Sequence, residues 1–420
     1  MTPKDEALRI LFAAIPEVVG DGESVALDEA LGRVLAEDVA ADMDQPPFDR
    51  ASMDGFAVRA ADLAAGAAEL AVVGTVAAGE VADFEVGPGA CARIMTGAPM
   101  PAGADAVVMV ERSRDLGGDR VALEDETRAG ANVAPRGQDV REGEVVLRRG
   151  TPLRPVEIGV LASVGRDRVR VFPRPRVAVV ATGDELVPPG AGRPGPGQIR
   201  ESNAHMLAAQ VAALGEGIRA ERLGIARDTR EDVDAFLDRG LAADVLILSG
   251  GVSMGDYDFV HVALKERGLA VKLERVAIKP GKPLLFGSLD VEGRRVFVFG
   301  LPGNPVSSFV TFELFVRPFL RGLTGRAATP LEIRVRVAAD CAGRAMPRTQ
   351  HLPAVLESTD EGLGVRALEW HGSGDLRGLA DANAFVVVPT GEAPPAAGEM
   401  ATVLVIESEA LRRSPRASRG

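Results

Sequence analysis

Val245-Leu-Ile-Leu-Ser249-Gly-Gly-Val-Ser-Met-Gly-Asp-Tyr-Asp-Phe259 is the stretch on which the reading of the fold turns. An apolar run, Val245 to Leu248, reads as a strand and gives way to a loop holding three glycines and two aspartates. Those glycines let the backbone approach a ligand closely or adopt positive φ. Asp256 and Asp258 are hard oxygen donors of the kind Mg²⁺ accepts while keeping most of its waters.

Outward from this stretch the chain alternates. Strand Val177 to Ala181 leads to helix Asn203 to Leu214, strand Ile218 to Leu223, helix Thr229 to Arg239 and strand Val245 to Leu248. A helix near Phe259 to Arg267, strand Val296 to Phe299 and helix Pro305 to Leu320 follow. Strands separated by helices imply a mostly parallel sheet with helices on both faces. Ligands bind such sheets beyond the carboxyl ends of the strands.

Loops leaving one sheet should therefore converge on one rim. Four more join Ser249 to Phe259 there: Thr182-Gly-Asp-Glu-Leu186, Ile225-Ala-Arg-Asp-Thr229, Ile278-Lys-Pro-Gly-Lys-Pro283 and Leu301-Pro-Gly-Asn-Pro-Val-Ser307. Together they supply the backbone of Gly250, Gly251, Pro302 and Gly303, carboxylates on Asp184, Glu185, Asp228, Asp256 and Asp258, and ammonium groups on Lys279 and Lys282. Asn304 and Pro305 add a helix start whose free N–H groups can face an anion. That inventory suits a phosphorylated ligand. Each loop also has a plainer role, with Asp228, Asp258 or Asn304 as helix caps and the lysines as solvated surface.

A chain of 420 residues exceeds one ordinary core and suggests about three domains. With 46% apolar and 26% charged residues it reads as a folded soluble protein, and a single Trp and Tyr leave Val, Ala and Leu to fill the cores. No apolar run is long enough to span a membrane, and Met1-Thr-Pro-Lys-Asp-Glu6 lacks a basic region followed by an apolar one. A cytoplasmic location is expected. Cys91 and Cys341 stand apart, and the four histidines are scattered, so a zinc site is not supported. A net charge of −12 argues against nonspecific nucleic-acid binding and requires local cations at any anion site.

The flanks read differently. Helix Lys4 to Ile15 opens the chain, Asp42 to Asp139 is dense in Gly, Pro and short strands, and Val140 to Phe172 returns to a strand and the helix Pro155 to Ser163. After Thr324, short strands suggest a small β-barrel or sandwich, and the tail is rich in Arg, Ser and Pro.

In order along the chain stand Phe48-Asp-Arg-Ala-Ser-Met-Asp-Gly55, Thr96-Gly-Ala-Pro99, Arg136-Gly-Gln-Asp139, Thr182-Gly-Asp-Glu-Leu186, Ser249-Gly-Gly-Val-Ser253, Lys279-Pro-Gly-Lys-Pro283, Leu301-Pro-Gly-Asn-Pro305 and His371-Gly-Ser-Gly374. This collinear set resembles the MoeA-type molybdopterin molybdenumtransferases, bacterial relatives of the gephyrin C-terminal domain. The fold expected is multi-domain α/β. Residues 174–325 would form a MogA-like, doubly wound, mostly parallel sheet domain, 42–139 a β-rich insert module and 326–410 a small C-terminal β-barrel. Residues 1–41 and 140–173 would form a discontinuous mixed linking domain, with a disordered tail at 411–420.

The resemblance implies insertion of molybdate into adenylylated molybdopterin, with Mg²⁺-dependent release of AMP. It assigns Asp228, Asp258 and Glu185 to Mg²⁺ and nucleotide phosphate, and Lys279, Lys282, Arg348 and Ser373 to molybdate or phosphate oxygens. Asp54, Thr96 and Asp139 would serve the pterin or metal end. Gly250, Gly251, Ser253 and the Pro302-Gly303-Asn304-Pro305 loop would cradle the ligand. It further implies a homodimer with the site formed between subunits, and transient contacts with the adenylyltransferase and with cofactor-accepting apoenzymes. Phe56, Gln138 and His371 depart from the commoner family pattern. Two rivals stand beside this reading: the adenylyltransferase of the preceding step, whose fold would not need the Met53-Asp-Gly55 module, and a noncatalytic scaffold.

Overall fold

Every residue of strands Val177–Thr182 and Val245–Ser249 is buried, so the sheet they build is covered on both faces. The computed structural model describes residues 1–16, 22–124, 126–215, 217–251, 259–326, 329–359 and 362–406. It divides into two units, one of Met1–Ser24, Ala30–Ala36 and Arg170–Gly420, the other of Val25–Glu29 and Glu37–Val169.

In the first unit a six-stranded sheet runs in the order Ala220–Ala226, Val177–Thr182, Val245–Ser249, Arg294–Leu301, Pro283–Val291, Ala270–Arg275. The first four strands are mutually parallel, in register through Val179 opposite Ile247 and Ile247 opposite Phe299. The last two are antiparallel additions. Sequence periodicity did not reveal them, because no helix separates Pro283–Val291 from Arg294–Leu301. The two strands are joined instead by a tight turn at Glu292 and Gly293, with φ of 50° and 79°, the twist a two-residue hairpin demands.

Alternate residues feed two cores. Val177, Val179, Val245, Ile247, Phe297 and Phe299 face helix Asn203–Ala212, the long helix that starts at Pro305, and Ala7 and Leu11 of helix Lys4–Phe12. Ala178, Val180, Leu246, Leu248, Val296 and Val298 face Val233 and Leu237 of helix Arg230–Gly240 and Val260 and Leu264 of helix Phe259–Glu266. This two-sided packing fixes the strand ends, and with them the rim where the loops emerge.

The helix expected from Pro305 to Leu320 is present but interrupted. Pro305–Thr311 passes through a π turn, Phe312–Val316, into Arg317–Leu323. Pro318 has no N–H to complete the regular ladder, and a widened turn just before it absorbs the mismatch.

Thr349–Thr359 pairs with both Gly362–Ala367 and Ala384–Val388, and Glu332–Val337 with Met400–Val405 completes a closed five-stranded barrel. Val335, Leu352, Ala354, Leu356, Val386 and Val403 fill it. A short strand of the sheet unit, Ile278–Lys279, extends this barrel by pairing in parallel with Thr349 and Gln350.

The second unit is built on a six-stranded sheet ordered Ala106–Met109, Gly55–Val58, Ala90–Ile94, Ala68–Val76, Arg120–Leu123, Ser113–Asp115. Gly55 is obligatory in the strand next to its edge: a Cβ there would lie 1.9 Å from the Val108 carbonyl oxygen. The mixed architecture agrees with the fold class expected from sequence. Among the described residues, no helix is long and apolar enough to cross a membrane.

Candidate functional site

Four parallel strands end on one side of the first unit's sheet, and their loops surround a cavity of about 1080 Å³. The first strand ends at Thr182. Gly183 follows with φ of 148°, and its N–H donates to the Ala226 carbonyl at 3.2 Å, locking two adjacent loops together. Any Cβ on Gly183 would strike the Glu185 carboxylate at 2.4 Å.

Three carboxylates gather at this end. The Asp228 amide donates to Asp184 Oδ1 at 3.1 Å, and Arg227 Nη1 donates to the Asp184 carbonyl at 2.9 Å. Burial pushes the Asp228 carboxyl above its ordinary value, and the charges of Asp184 and Glu185 push it further in the same direction. The capping role open to Asp228 belongs to its neighbour: the Thr229 side chain accepts from the Asp232 amide.

The middle of the cavity is backbone. Gly250 and Gly251 take φ of 90° and 60°, and a Cβ on either would come within 2.5 Å of Thr182 oxygens. The Gly250 amide donates to the Leu301 carbonyl at 3.2 Å. Asn203 spans the gap to the next loop: its Nδ2 donates to Ser249 Oγ at 2.9 Å and to the Gly303 carbonyl at 2.7 Å. Asn304 holds the N-cap position of the helix at Pro305 without a side-chain capping bond. Its amide instead donates to Ser373 Oγ at 3.1 Å, while the Val306 N–H donates to the Ser373 carbonyl.

Cations occupy the far wall. Lys279 is half-buried and Lys282 exposed, and neither has a carboxylate partner among the described residues. Gly281, with φ of 105°, sits between them where a Cβ would meet Thr311 Cγ2 at 2.6 Å. Arg348 lines the same wall and donates from Nη1 to the Ile278 carbonyl at 3.2 Å. In a chain of net charge −12, this is the local positive field an anion requires.

The structure thus gathers Glu185, Asp228, Gly250, Gly251, Lys279, Lys282, Pro302, Gly303, Asn304, Pro305, Arg348 and Ser373 around one cavity. Asp54 and Thr96 form a pair in the second unit, where Asp54 Oδ1 accepts from the Thr96 N–H at 2.6 Å and from its hydroxyl at 2.7 Å. Those two bonds hold the Asp54 carboxyl below its usual value. Asp139, also in the second unit, lies on an exposed loop and donates its N–H to the Gln45 carbonyl at 2.9 Å. Ser253, Asp256 and Asp258 lie outside the described residues.

Sequence reasoning missed Asn203 and Trp370 as cavity residues. Asn203 read as the start of a helix, which it is; its position opposite two glycine loops depends on the strand order. Among the described residues, no group of three or more His, Cys, Asp or Glu is placed to hold a metal.

Residues 2–165 match the MoeA N-terminal region (domain I and II), 178–322 a probable molybdopterin binding domain, and 335–406 the MoeA C-terminal region (domain IV). The chain is 35% identical over 416 residues to the molybdopterin molybdenumtransferase of Bacillus subtilis, covering 97% of this chain and 94% of that one. It is 34% identical to that of Staphylococcus aureus strain COL, with 92% of each chain covered. Two crystal structures of the molybdopterin biosynthesis MoeA protein from Pyrococcus horikoshii superpose with TM-scores of 0.80 and 0.76, at 34% and 31% identity, over 97% and 96% of this chain and the whole of each of theirs. With three family regions matched in order and about a third of its residues shared along nearly its whole length, this chain belongs to the MoeA family of molybdopterin molybdenumtransferases.

Proposed function

We propose that this protein inserts molybdate into adenylylated molybdopterin and releases AMP, forming molybdenum cofactor. The observation that carries the reading is the division of one cavity into an acidic end, a glycine-backbone middle and a cationic wall. A phosphoanhydride can use that order. Its phosphates can accept from loop amides, and a small tetrahedral dianion can sit against the ammonium groups of Lys279 and Lys282, which have no carboxylate partner among the described residues.

The donor set fits Mg²⁺, which commonly takes one or two carboxylates and completes its shell with phosphate oxygens and waters. Asp228 and Glu185 would hold it, and a divalent cation there would offset the burial and the neighbouring charges of Asp184 and Glu185 that together raise the Asp228 pKa. Bound there, Mg²⁺ would neutralise charge on the anhydride during cleavage. Lys279 and Lys282 draw molybdate or phosphate oxygens to the opposite wall. Arg348 and Ser373 orient them, and the bond from Asn304 to Ser373 fixes that hydroxyl. Asp54 and Thr96 serve the pterin or metal end on this reading. The working form would be a cytoplasmic homodimer, which sedimentation tests directly.

The decisive assay supplies adenylylated molybdopterin, molybdate and Mg²⁺ to the purified protein and then adds a cofactor-free molybdoenzyme. Activation of that enzyme supports the reading. AMP release without activation refutes it.

A further inference from the structure

Trp370 is the only tryptophan in the chain, and it lines the cavity rather than lying in a closed core. It packs against the sheet unit's core, the cluster that contains Leu379 and that Leu376 also packs against. Gly378 lies so close beneath that a Cβ there would come within 3.2 Å of the Trp370 Cβ. The turn carrying it is braced by one carboxylate: Asp375 accepts from the His371 N–H at 2.9 Å and from the Gly378 N–H at 2.8 Å. Gly372, Ser373 and Gly374 of this turn line the cavity too.

Among the described residues, no aromatic ring or guanidinium stacks on the indole. An anchored ring at the lining of a cavity that also carries Lys279 and Lys282 offers a π surface suited to a flat partner. We infer that Trp370 forms a stacking wall for the heteroaromatic ring of a phosphorylated ligand whose charged groups lie on Lys279, Lys282 and Ser373. This rests on the transferase reading, under which two such rings exist, the adenine and the pterin. An alanine substitution at a base-stacking aromatic typically weakens binding by roughly five- to a hundredfold. Such a ring is recognised by its π face, so phenylalanine should serve nearly as well as tryptophan.

Tryptophan emission reports this residue alone, which makes the test direct. The full-length protein is titrated with AMP and, separately, with unsubstituted pterin, and binding is measured in parallel by calorimetry for wild type, Trp370→Phe and Trp370→Ala. The expected result is a saturable change in emission with one of the two, a tenfold or greater loss of affinity for it in Trp370→Ala, and recovery in Trp370→Phe. AMP as the active probe assigns the wall to the nucleoside, and pterin assigns it to the other end. Heat detected with unchanged emission, or wild-type affinity in Trp370→Ala, overturns the role of Trp370 and leaves the transferase reading standing. Binding of neither probe, together with no AMP release from adenylylated molybdopterin, overturns both.

Discussion

Asn203 Nδ2 lies 2.7 Å from the Gly303 carbonyl oxygen, and since a carbonyl can only accept, the amide orientation is fixed. The same nitrogen reaches Ser249 Oγ, so one side chain at a helix start sets the spacing between two glycine loops that follow different strands. Asn203→Ala removes both bonds, and Asn203→Asp places a carboxylate against the Gly303 carbonyl. We expect kcat/KM for AMP release to fall about tenfold in the alanine variant and further in the aspartate variant, at a cost of about 1–2 kcal/mol in stability. Steady-state kinetics alongside thermal melts check this; an aspartate variant as active as wild type would remove the tie from the account.

Asp228 is partly buried and stands beside the like charges of Asp184 and Glu185. Its raised pKa means that ionisation is less favourable folded than unfolded, so stability contributed by its neutral form fades as pH rises through the carboxylate range toward the folded value. Asp228→Asn should leave the melting temperature at pH 7 equal to or above that of wild type while lowering AMP release by about a hundredfold or more. Mg²⁺ should raise the melting temperature of wild type and not of the variant. Equal Mg²⁺ stabilisation of both would place the ion elsewhere.

For Lys279, half-buried and without a carboxylate partner among the described residues, alanine should raise the molybdate concentration needed for half-maximal rate by roughly tenfold. AMP affinity should change less. The opposite ranking would move Lys279 to the phosphate end of the ligand.

His351 is wholly buried in a barrel strand, and neither ring nitrogen has a hydrogen-bond partner among the described residues. Burial, with a smaller push from Lys4, lowers its pKa to about 3. A histidine with a lowered folded pKa costs stability as pH falls from the unfolded value near 6.5 toward that figure. His351→Leu should therefore shift the acid unfolding midpoint to lower pH and stabilise the protein by a kcal/mol or more at pH 5. Chemical denaturation at pH 5 and pH 8 makes the comparison.

Gly55 fits between strands only because it lacks a side chain. Gly55→Ala must displace the strand Ala106–Met109 and should cost about 3 kcal/mol or more, with loss of the adjoining Asp54–Thr96 pair. Loss of less than about 1 kcal/mol would show that the sheet adjusts freely.

Much of this was legible in the sequence because the informative residues are local. Apolar runs such as Val245 to Leu248 and the helices between them give a parallel sheet, and loops leaving such strands must share a rim. The antiparallel strands Pro283–Val291 and Ala270–Arg275 were not legible, because a hairpin at the sheet's edge breaks the alternation that revealed the rest. Asn203 and Trp370 were hidden for another reason. Each acts through neighbours distant in sequence, Gly303 for the one and the cavity wall for the other, and no local pattern marks that proximity.

On the transferase reading, one cavity cleaves the phosphoanhydride with molybdate held at one end and Mg²⁺ at the other. The decisive measurement is AMP release from adenylylated molybdopterin with molybdate and Mg²⁺ each present or absent. Fast release is expected only when both are supplied, and near-background release with either alone. Release at full rate without molybdate would contradict that reading.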